Sequence, residues 1–208
     1  MNYTIELFLL TIFAYLLGSI PSAYIAGKIK KHVDIRKAGT GNVGATNVLL
    51  VIGPAVAAMV YIVDLLKGLF PVLLARVIIG TDLSMGLCGL AAILGHDYSI
   101  FLKFSGGKGV ATTTGVMFGI NAQIILILIF AWFIILVPVT NYFILSSLIC
   151  ILGIPVLMYL FKLSNTLIIF GILYFLVGLF THRDAVVRIA GGKEKRAFDS
   201  IKKYFSKR

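Results

Sequence analysis

Residues 37–47 read KAGTGNVGATN, a run of glycine and small polar side chains in a chain that is 60% hydrophobic. Segment 39–44 matches the dinucleotide-binding pattern G-x-G-x-x-G, but no strand precedes it and its flanks cannot form a βαβ unit. Glycines nevertheless let backbone N–H groups converge on an anion, and a helix beginning near Thr46 would direct its positive end to the same place. The side chains able to add donors are Thr40, Asn42, Thr46 and Asn47. The residues alone leave two interpretations open: a phosphate or acyl-phosphate site, and a turn that satisfies its own backbone.

A second glycine-rich segment, residues 95–115, reads GHDYSIFLKFSGGKGVATTTG. Its GGKG run at 106–109 lacks the spacing of a nucleotide-binding P-loop, because glycine and not serine or threonine follows Lys108. A lysine among flexible glycines at the start of an apolar helix still offers a movable cation and free N–H groups to a phosphate. We favour this function over a packing role, since glycines on both sides of a lysine do little for helix packing. His96 and Asp97 offer a general acid–base pair, but adjacency in sequence does not make two side chains face each other. His96 is predicted instead to cap a helix or to form a hydrogen bond.

Two further pairs of polar residues lie in or beside apolar runs. Asp64 and Lys67 are three residues apart on one helical face, and ions inside a membrane are usually paired or functional. We interpret this pair as structural support, with contact to a substrate as the alternative. His182 and Arg183 end the last apolar run, where they either mark topology or bind a phosphate or a polyol.

The hydropathy pattern shows which elements must position these groups. The mean hydropathy is +1.03, and only closed hydrogen-bonded backbones are stable in hydrocarbon, so we expect an all-α integral membrane protein forming a single domain over residues 1–208. Cys88 and Cys150 lie in apolar runs with no metal or disulfide spacing and are predicted to pack as small side chains. About seven transmembrane helices are expected, two of them short (84–95 and 109–120), at 5–27, 54–79, 84–95, 109–120, 122–138, 142–161 and 164–181.

Positive charge predicts the orientation of these spans. Lysines and arginines follow the first span, follow the short third span, and make up nine of the residues after 182, and such residues mark the cytoplasmic side. The N-terminus is therefore expected outside, and the basic tail 182–208 and the glycine-rich loops in the cytoplasm. The lysine-rich residues 193–208 are interpreted as a solvated topology signal, with an amphipathic helix on anionic lipid as the alternative.

Three functions fit this distribution of polar residues. A membrane enzyme for a phosphorylated substrate is favoured, because the polar segments fall on one predicted face. A small-anion transporter usually shows related halves and a site at mid-membrane, and no internal repeat is visible here. A scaffold or lipid-binding protein without turnover is the third interpretation.

Four strings in this order, LLGSIPSAYIAGK, DIRKAGTGNVGATNV, DLLKG and GHDYSIFLKFSGGKGVATTTG, resemble the motifs of the bacterial acyl-phosphate:glycerol-3-phosphate acyltransferases, the PlsY family. The resemblance covers nearly the whole chain. It implies a bacterial inner-membrane helical bundle for phospholipid biosynthesis. The implied reaction moves a fatty acyl group from acyl phosphate to the sn-1 hydroxyl of glycerol 3-phosphate, giving lysophosphatidic acid and phosphate.

The resemblance also implies roles for residues. Acyl phosphate would lie on Gly39, Thr40, Gly41 and Asn42, with Asn47 bracing the loop. Glycerol 3-phosphate would contact Lys108, His182 and Arg183, and the catalytic residues would be Lys108, His182 and Asn42. Asp64, Lys67 and His96 would give structural support. The implied partners are the two substrates and membrane lipids, without nucleic acid, metal or cofactor, and the oligomeric state stays open.

This chain departs from the family pattern at five polar positions. Leu50, Ser105, Asn141, Ile144 and Ala185 stand where the family pattern has other residues, arginine among them. A charge-assisted bond contributes roughly 1.5–3 kcal/mol, so losing several would weaken binding of the acceptor. A divergent paralogue with another acceptor or little activity is therefore the alternative function.

Overall fold

Helices make up the chain in a computed structural model that describes residues 2–194 and 196–199. The α-helices are α1 Tyr3–Ser19, α2 Ser22–Lys31, α3 Ala45–Val51, α4 Pro54–Ile78, α5 Asp82–Asp97, α6 Val110–Ile120, α7 Ala122–Ala131, α8 Val137–Thr140, α9 Phe143–Leu160, α10 Asn165–Thr181 and α11 Arg183–Ala190. Turns of 3₁₀-helix cover Ile35–Lys37 and Ile100–Leu102, and a π-helical stretch, Trp132–Leu136, joins α7 to α8. The described residues contain no strand, so the all-α prediction is confirmed.

Seven apolar helical regions match the predicted spans in position. By length and composition, five of them are able to cross a membrane in the described part of the chain, and a sixth is added if α10 and α11, bent by 59° at His182, count as one span. Helix α6, at 11 residues, is too short to cross by itself. By these criteria, five or six of the about seven expected helices are candidates to cross the membrane in full.

The third region is longer than the sequence indicated. We expected it to end at Gly95, because His96 and Asp97 are polar, but α5 runs through both residues and its helical course continues to Leu102. Both side chains are buried within the bundle, so they do not need to lie at the membrane surface. This region is long enough to span, and the prediction that it is short was wrong.

Contacts divide the chain into two compact units, Met1–Asn121 and Ala122–Arg208. In the first unit, α1 packs on α5 and α4 packs on α6 at points where glycine permits close approach of two backbones. A Cβ atom at Gly18 would overlap the carbonyl oxygen of Ala92, and one at Gly115 would overlap that of Leu65. The close crossing of α4 and α6 fixes the start of α6, where the GGKG run ends.

The first span is interrupted between α1 and α2, at Ile20 and Pro21. Proline has no N–H to continue the helix, which leaves carbonyl groups of the last turn of α1 free for other partners. Ser99 Oγ donates to the carbonyl of Ser19 over 2.5 Å, and Lys67 Nζ donates to that of Ile20 over 3.0 Å. The interruption thereby ties α1 to both α4 and the loop after α5.

In the second unit, α9 packs against α7 and α10. Asn141 ends α8 with a φ of 56°, and both its backbone carbonyl and its side-chain Oδ1 accept N–H groups, from Ala197 and Phe198 respectively. The tail is thus attached to this loop as far as residue 199. Most of the lysine-rich tail, from residue 200 on, lies outside the described residues, as does the interpretation given to it.

Candidate substrate-binding loops

The first glycine-rich loop, residues 34–47, lies over a small apolar cluster in the first unit. Ile35, Val43 and Val48 are buried there against small residues of α2 and α4. Ile35 and Val43 fix two points of the loop, and Val48 fixes the helix that follows it, so the polar residues of the loop are presented from a defined backbone. The buried members of the cluster are Ala23, Ala26, Ile35, Val43, Val48, Ala57, Val60 and Leu102.

Asn47 holds the loop together. Its side chain is fully buried, and its Nδ2 donates to the carbonyls of Ile35, Ala38 and Asn42 over 2.9, 3.0 and 2.9 Å. Its Oδ1 accepts the N–H of Thr40 over 2.7 Å. A single amide side chain therefore satisfies four backbone groups spread across the loop.

Two glycines give the loop its course, since Gly39 and Gly41 have φ values of 63° and 75°. Such angles strain any residue with a Cβ atom, and a Cβ at Gly39 would also overlap Asn47 Oδ1. The N–H of Gly41 donates to Ala38, so the N–H groups of Thr40 and Gly41 are both used inside the loop. We expected backbone N–H groups of this loop to point at an anion, and at Thr40 and Gly41 that expectation was wrong. The groups left to contact a ligand are the side chains of Thr40, which is exposed, and Asn42, which is half-buried.

The helix after this loop begins at Ala45, close to the expected start near Thr46, with Gly44 preceding it. It has only seven residues, so its dipole is weak. The carboxylate of Asp34 opens the loop and accepts the N–H and two guanidinium bonds of Arg36. The guanidinium bond from Arg36 lowers the pKa of Asp34 to about 2, against the opposing effect of burial.

The second loop, residues 98–109, connects α5 to α6 and carries Lys108. The N–H of Gly106 donates to the carbonyl of Asp97, and the N–H of Gly107 donates to that of His96, each over 3.0 Å. A Cβ at Gly107 would overlap the His96 ring and would lie 2.6 Å from the carbonyl oxygen of Val43. The two glycine-rich loops are therefore in contact at Gly107 and Val43.

The glycines around Lys108 are needed for packing. A Cβ at Gly106 would overlap the carbonyl of His96, and one at Gly109, whose φ is 66°, would lie 2.9 Å from Asp97 Oδ1. Our expectation that these glycines do little for packing was wrong, because the sequence does not show how closely the end of α5 approaches them. Lys108 itself is half-buried and begins the approach to α6.

Below the second loop lies a buried polar cluster. Asp64, 1% exposed, accepts from Ser22 Oγ over 2.6 Å and pairs with Lys67 Nζ over 2.8 Å. His96 Nδ1 lies 3.7 Å from the same carboxylate oxygen, too far for a hydrogen bond. A cavity of about 10 Å³ adjoins Ser22, Lys67 and His96, which is room for about one water molecule. The Asp64–Lys67 pair is present as expected. The cavity beside it is too small for a ligand larger than a water molecule.

In the second unit, His182 and Arg183 stand at the bend between α10 and α11. His182 is 1% exposed, and its Nδ1 lies 2.7 Å from the carbonyl oxygen of Gly178. Arg183 donates to the carbonyl of Phe180 over 2.9 Å, and its guanidinium lies 4.3 Å from the centre of the Phe180 ring. Both side chains are thus oriented by the last turn of α10.

Known proteins are similar to this chain in sequence and in the arrangement of their helices. Residues 8–192 match the protein family described as glycerol-3-phosphate acyltransferase. This chain belongs to that family. Glycerol-3-phosphate acyltransferase 2 of Thermotoga maritima is 40% identical over 188 residues, covering 90% of this chain and 95% of that protein. A glycerol-3-phosphate acyltransferase of Geotalea daltonii is 42% identical over 185 residues, or 89% of this chain and 94% of that one.

Solved structures of the family give the same fold. The glycerol 3-phosphate form of PlsY (YgiH), an integral membrane glycerol 3-phosphate acyltransferase, superposes with a TM-score of 0.88 at 35% identity, over 92% of this chain and 95% of that one. The lysophosphatidic acid form of the same enzyme has a TM-score of 0.86 at 32% identity, over 94% and 98% of the two chains. This acyltransferase is accordingly a multi-pass integral membrane protein.

The departures from the family motifs occupy different environments. Leu50 is exposed on α3 and Ser105 is exposed in the second loop, whereas Ala185 is fully buried on α11. Asn141 accepts hydrogen bonds from two N–H groups of the tail, and Ile144 is half-buried in α9. Nothing in the structure explains the residue types at Leu50 and Ile144.

Several buried polar residues of the first unit were given no role from the sequence. Ser22, Ser99 and Asp97 are buried and lie around the second loop; Asp97 was considered only beside His96, and the two serines were not considered. The signal available was weak, since Ser22 and Ser99 follow or precede apolar residues like any small side chain. Among the described residues no group of three or more His, Cys, Asp or Glu side chains is arranged to hold a metal ion, and Cys88 and Cys150 are both unpaired thiols.

Proposed function

We propose that this membrane acyltransferase transfers a fatty acyl group from acyl phosphate to the sn-1 hydroxyl of glycerol 3-phosphate, releasing phosphate and lysophosphatidic acid. The observation that carries the proposal is the contact between the two glycine-rich loops at Val43 and Gly107. It brings a loop suited to one phosphate next to a loop that carries a lysine. A reaction that joins two phosphorylated substrates needs such neighbouring anion sites.

The donor is assigned to the first loop. The outward side chains of Thr40 and Asn42 contact the acyl phosphate, along a backbone shaped by Gly39 and Gly41 and fixed by Asn47. Acyl phosphate is an activated mixed anhydride, so holding the reactants in attack geometry and stabilising the developing charge supplies most of the catalysis. No nucleophilic serine or cysteine is required.

The phosphate of glycerol 3-phosphate is assigned to Lys108, whose charge suits it. Roles for His182 and Arg183 toward this substrate stay predictions from the sequence. The sn-1 hydroxyl oxygen attacks the acyl carbon, and the bond from that carbon to the phosphate oxygen breaks. The hydroxyl proton passes to an oxygen of the donor phosphate, which leaves as inorganic phosphate. The ester product keeps the glycerol 3-phosphate group, and the atoms balance without a further reactant.

The orientation follows from the basic segments. We place the N-terminus outside and the C-terminus in the cytoplasm of a bacterial inner membrane, with both glycine-rich loops on the cytoplasmic side. Fusing alkaline phosphatase to the C-terminus should give no phosphatase activity in intact cells, whereas a fluorescent protein at that end should fold. An active phosphatase fusion would reverse the assignment.

The function is tested with purified protein in detergent. We would measure release of inorganic phosphate from palmitoyl phosphate with and without sn-glycerol 3-phosphate, and identify the lipid product. Release that depends on the acceptor and yields lysophosphatidic acid supports the proposal. Binding of acyl phosphate without acceptor-dependent release would support the divergent paralogue, and transport of phosphate into sealed vesicles without any product would support the transporter.

A further inference from the structure

We propose that His96 and Asp97 are positioning residues that fix Lys108 for catalysis by holding the backbone on both sides of it. The proposal rests on the acceptor role assigned to Lys108 above. It adds a function to His96 beyond general support of the bundle, and it assigns one to Asp97.

The N-terminal side of Lys108 is held by His96. The carbonyl of His96 accepts the N–H of Gly107, and the imidazole ring lies against the α-carbon of Gly107, where no side chain would fit. The ring is itself confined, because its Nδ1 faces the Asp64 carboxylate at 3.7 Å and that carboxylate is anchored by Lys67. Movement of Gly107 away from its place would therefore require the buried cluster to rearrange.

The C-terminal side of Lys108 is held by Asp97. Its side chain contacts Gly109, the residue before α6, whereas its carbonyl accepts the N–H of Gly106 on the N-terminal side of the lysine. A Cβ at Gly109 would lie 2.9 and 3.2 Å from the two carboxylate oxygens. The side chain is 4% exposed, and neither oxygen has a hydrogen-bond partner among the described residues. Its contribution at Gly109 is therefore one of packing.

Consecutive residues at the end of α5 thus enclose the GGKG run. The groups facing this arrangement are Asp64 and Lys67 from α4 and Ser22 from α2. All of them belong to the first unit, whose helices cross through close glycine contacts. Lys108 consequently starts from a backbone that is fixed before any substrate arrives, which favours catalysis by preorganisation.

The test separates positioning from support by measuring both Michaelis constants. His96→Ala and Asp97→Ala should each raise KM for glycerol 3-phosphate about tenfold or more, because displacement of a binding group by about 1 Å can cost a hundredfold, while KM for palmitoyl phosphate stays within about twofold. Asp97→Asn keeps the shape of the side chain that contacts Gly109, so its KM for glycerol 3-phosphate should stay near the wild-type value. Asp82→Ala, on the same helix far from the loop, is the matched control and should change neither constant.

A double variant tests whether His96 acts through Lys108. Because Lys108→Ala is expected to have no turnover, this comparison uses the dissociation constant of glycerol 3-phosphate measured by equilibrium binding. In the Lys108→Ala background, His96→Ala should raise that constant less than about twofold, since coupled residues are not additive. Full additivity of the two dissociation constants, or unchanged KM in both single alanine variants at His96 and Asp97 with a lower unfolding temperature, would overturn the proposal and leave a structural role. If Lys108→Ala itself leaves the dissociation constant of glycerol 3-phosphate unchanged, the acceptor assignment has failed, and that outcome is distinct from failure of His96 or Asp97 alone.

Discussion

Changing Asn47 to aspartate would keep the size of the side chain and remove its donors. The Nδ2 group now serves three carbonyl oxygens within 3.0 Å, and an aspartate oxygen at that place would face all three with none to bond. Two lost bonds at about 0.5–1.5 kcal/mol each, and an orphaned buried acceptor at about 1–3 kcal/mol, give a loss of roughly 2–6 kcal/mol for the ordered loop. That corresponds to a decrease of about thirtyfold to ten-thousandfold or more in its population relative to other conformations.

The assay is acceptor-dependent phosphate release from palmitoyl phosphate, together with hydrogen exchange of the loop N–H groups. We expect Asn47→Asp to lower the rate at least thirtyfold and to expose the N–H of Thr40 to exchange, while the helical content is retained. Asn165→Asp supplies the matched control, since it makes the same chemical change at an exposed position at the start of α10. It should leave both the rate and the exchange of the loop unchanged.

A wild-type rate for Asn47→Asp would refute this reasoning. It would mean that the loop is held by its apolar contacts at Ile35 and Val43 alone. Loss of activity with unchanged exchange of Thr40 would refute it in another way, because the loop would then be ordered without the four bonds.

The remaining predictions concern the site, the bundle and metals. Asn42→Ala and Lys108→Ala should each abolish turnover in protein that is folded and inserted in the membrane, and rates near wild type in either variant would contradict the site assignment. Gly115→Ala should destabilise the protein by about 1–3 kcal/mol in thermal unfolding, since its Cβ would meet the Leu65 backbone. Gly153→Ala, which would meet only the end of a side chain, should cost less. EDTA should leave the rate unchanged, and an activity that requires a divalent metal would show that the chemistry is misread.

Much of the fold follows from hydropathy. The predictions about it that were wrong concern polar residues buried by tertiary packing, and they share that physical cause. Runs of apolar residues place each helix within a few residues, because a membrane requires a closed backbone. The end of α5 was misjudged at His96, since a polar residue buried by tertiary packing looks the same in sequence as one at the membrane surface. The same limitation left Asp97 without a role, because its burial and its contact with Gly109 come from the folding of the following loop.

The two loops illustrate what a sequence predicts about a site. The glycine patterns located both loops, and Asn47 was expected to brace the first of them. The direction of individual N–H groups could not be predicted, because whether the N–H of Gly41 turns outward or to Ala38 depends on the folded turn. The role of Lys108 remains a prediction that the kinetic experiments address, and the roles of His182 and Arg183 remain predictions from the sequence.

The interruption of the first span at Pro21 has an unexpected consequence for engineering. Proline in a helix is usually a weak point, and replacing it with a good helix former generally helps. Here a continuous helix would reclaim the carbonyls of Ser19 and Ile20, which now receive Ser99 and Lys67. We expect Pro21→Ala to straighten the span and to lower stability, because the buried ammonium of Lys67 would lose an acceptor. The break therefore joins α1, α4 and the loop after α5 at fixed positions. We do not expect it to act as a hinge.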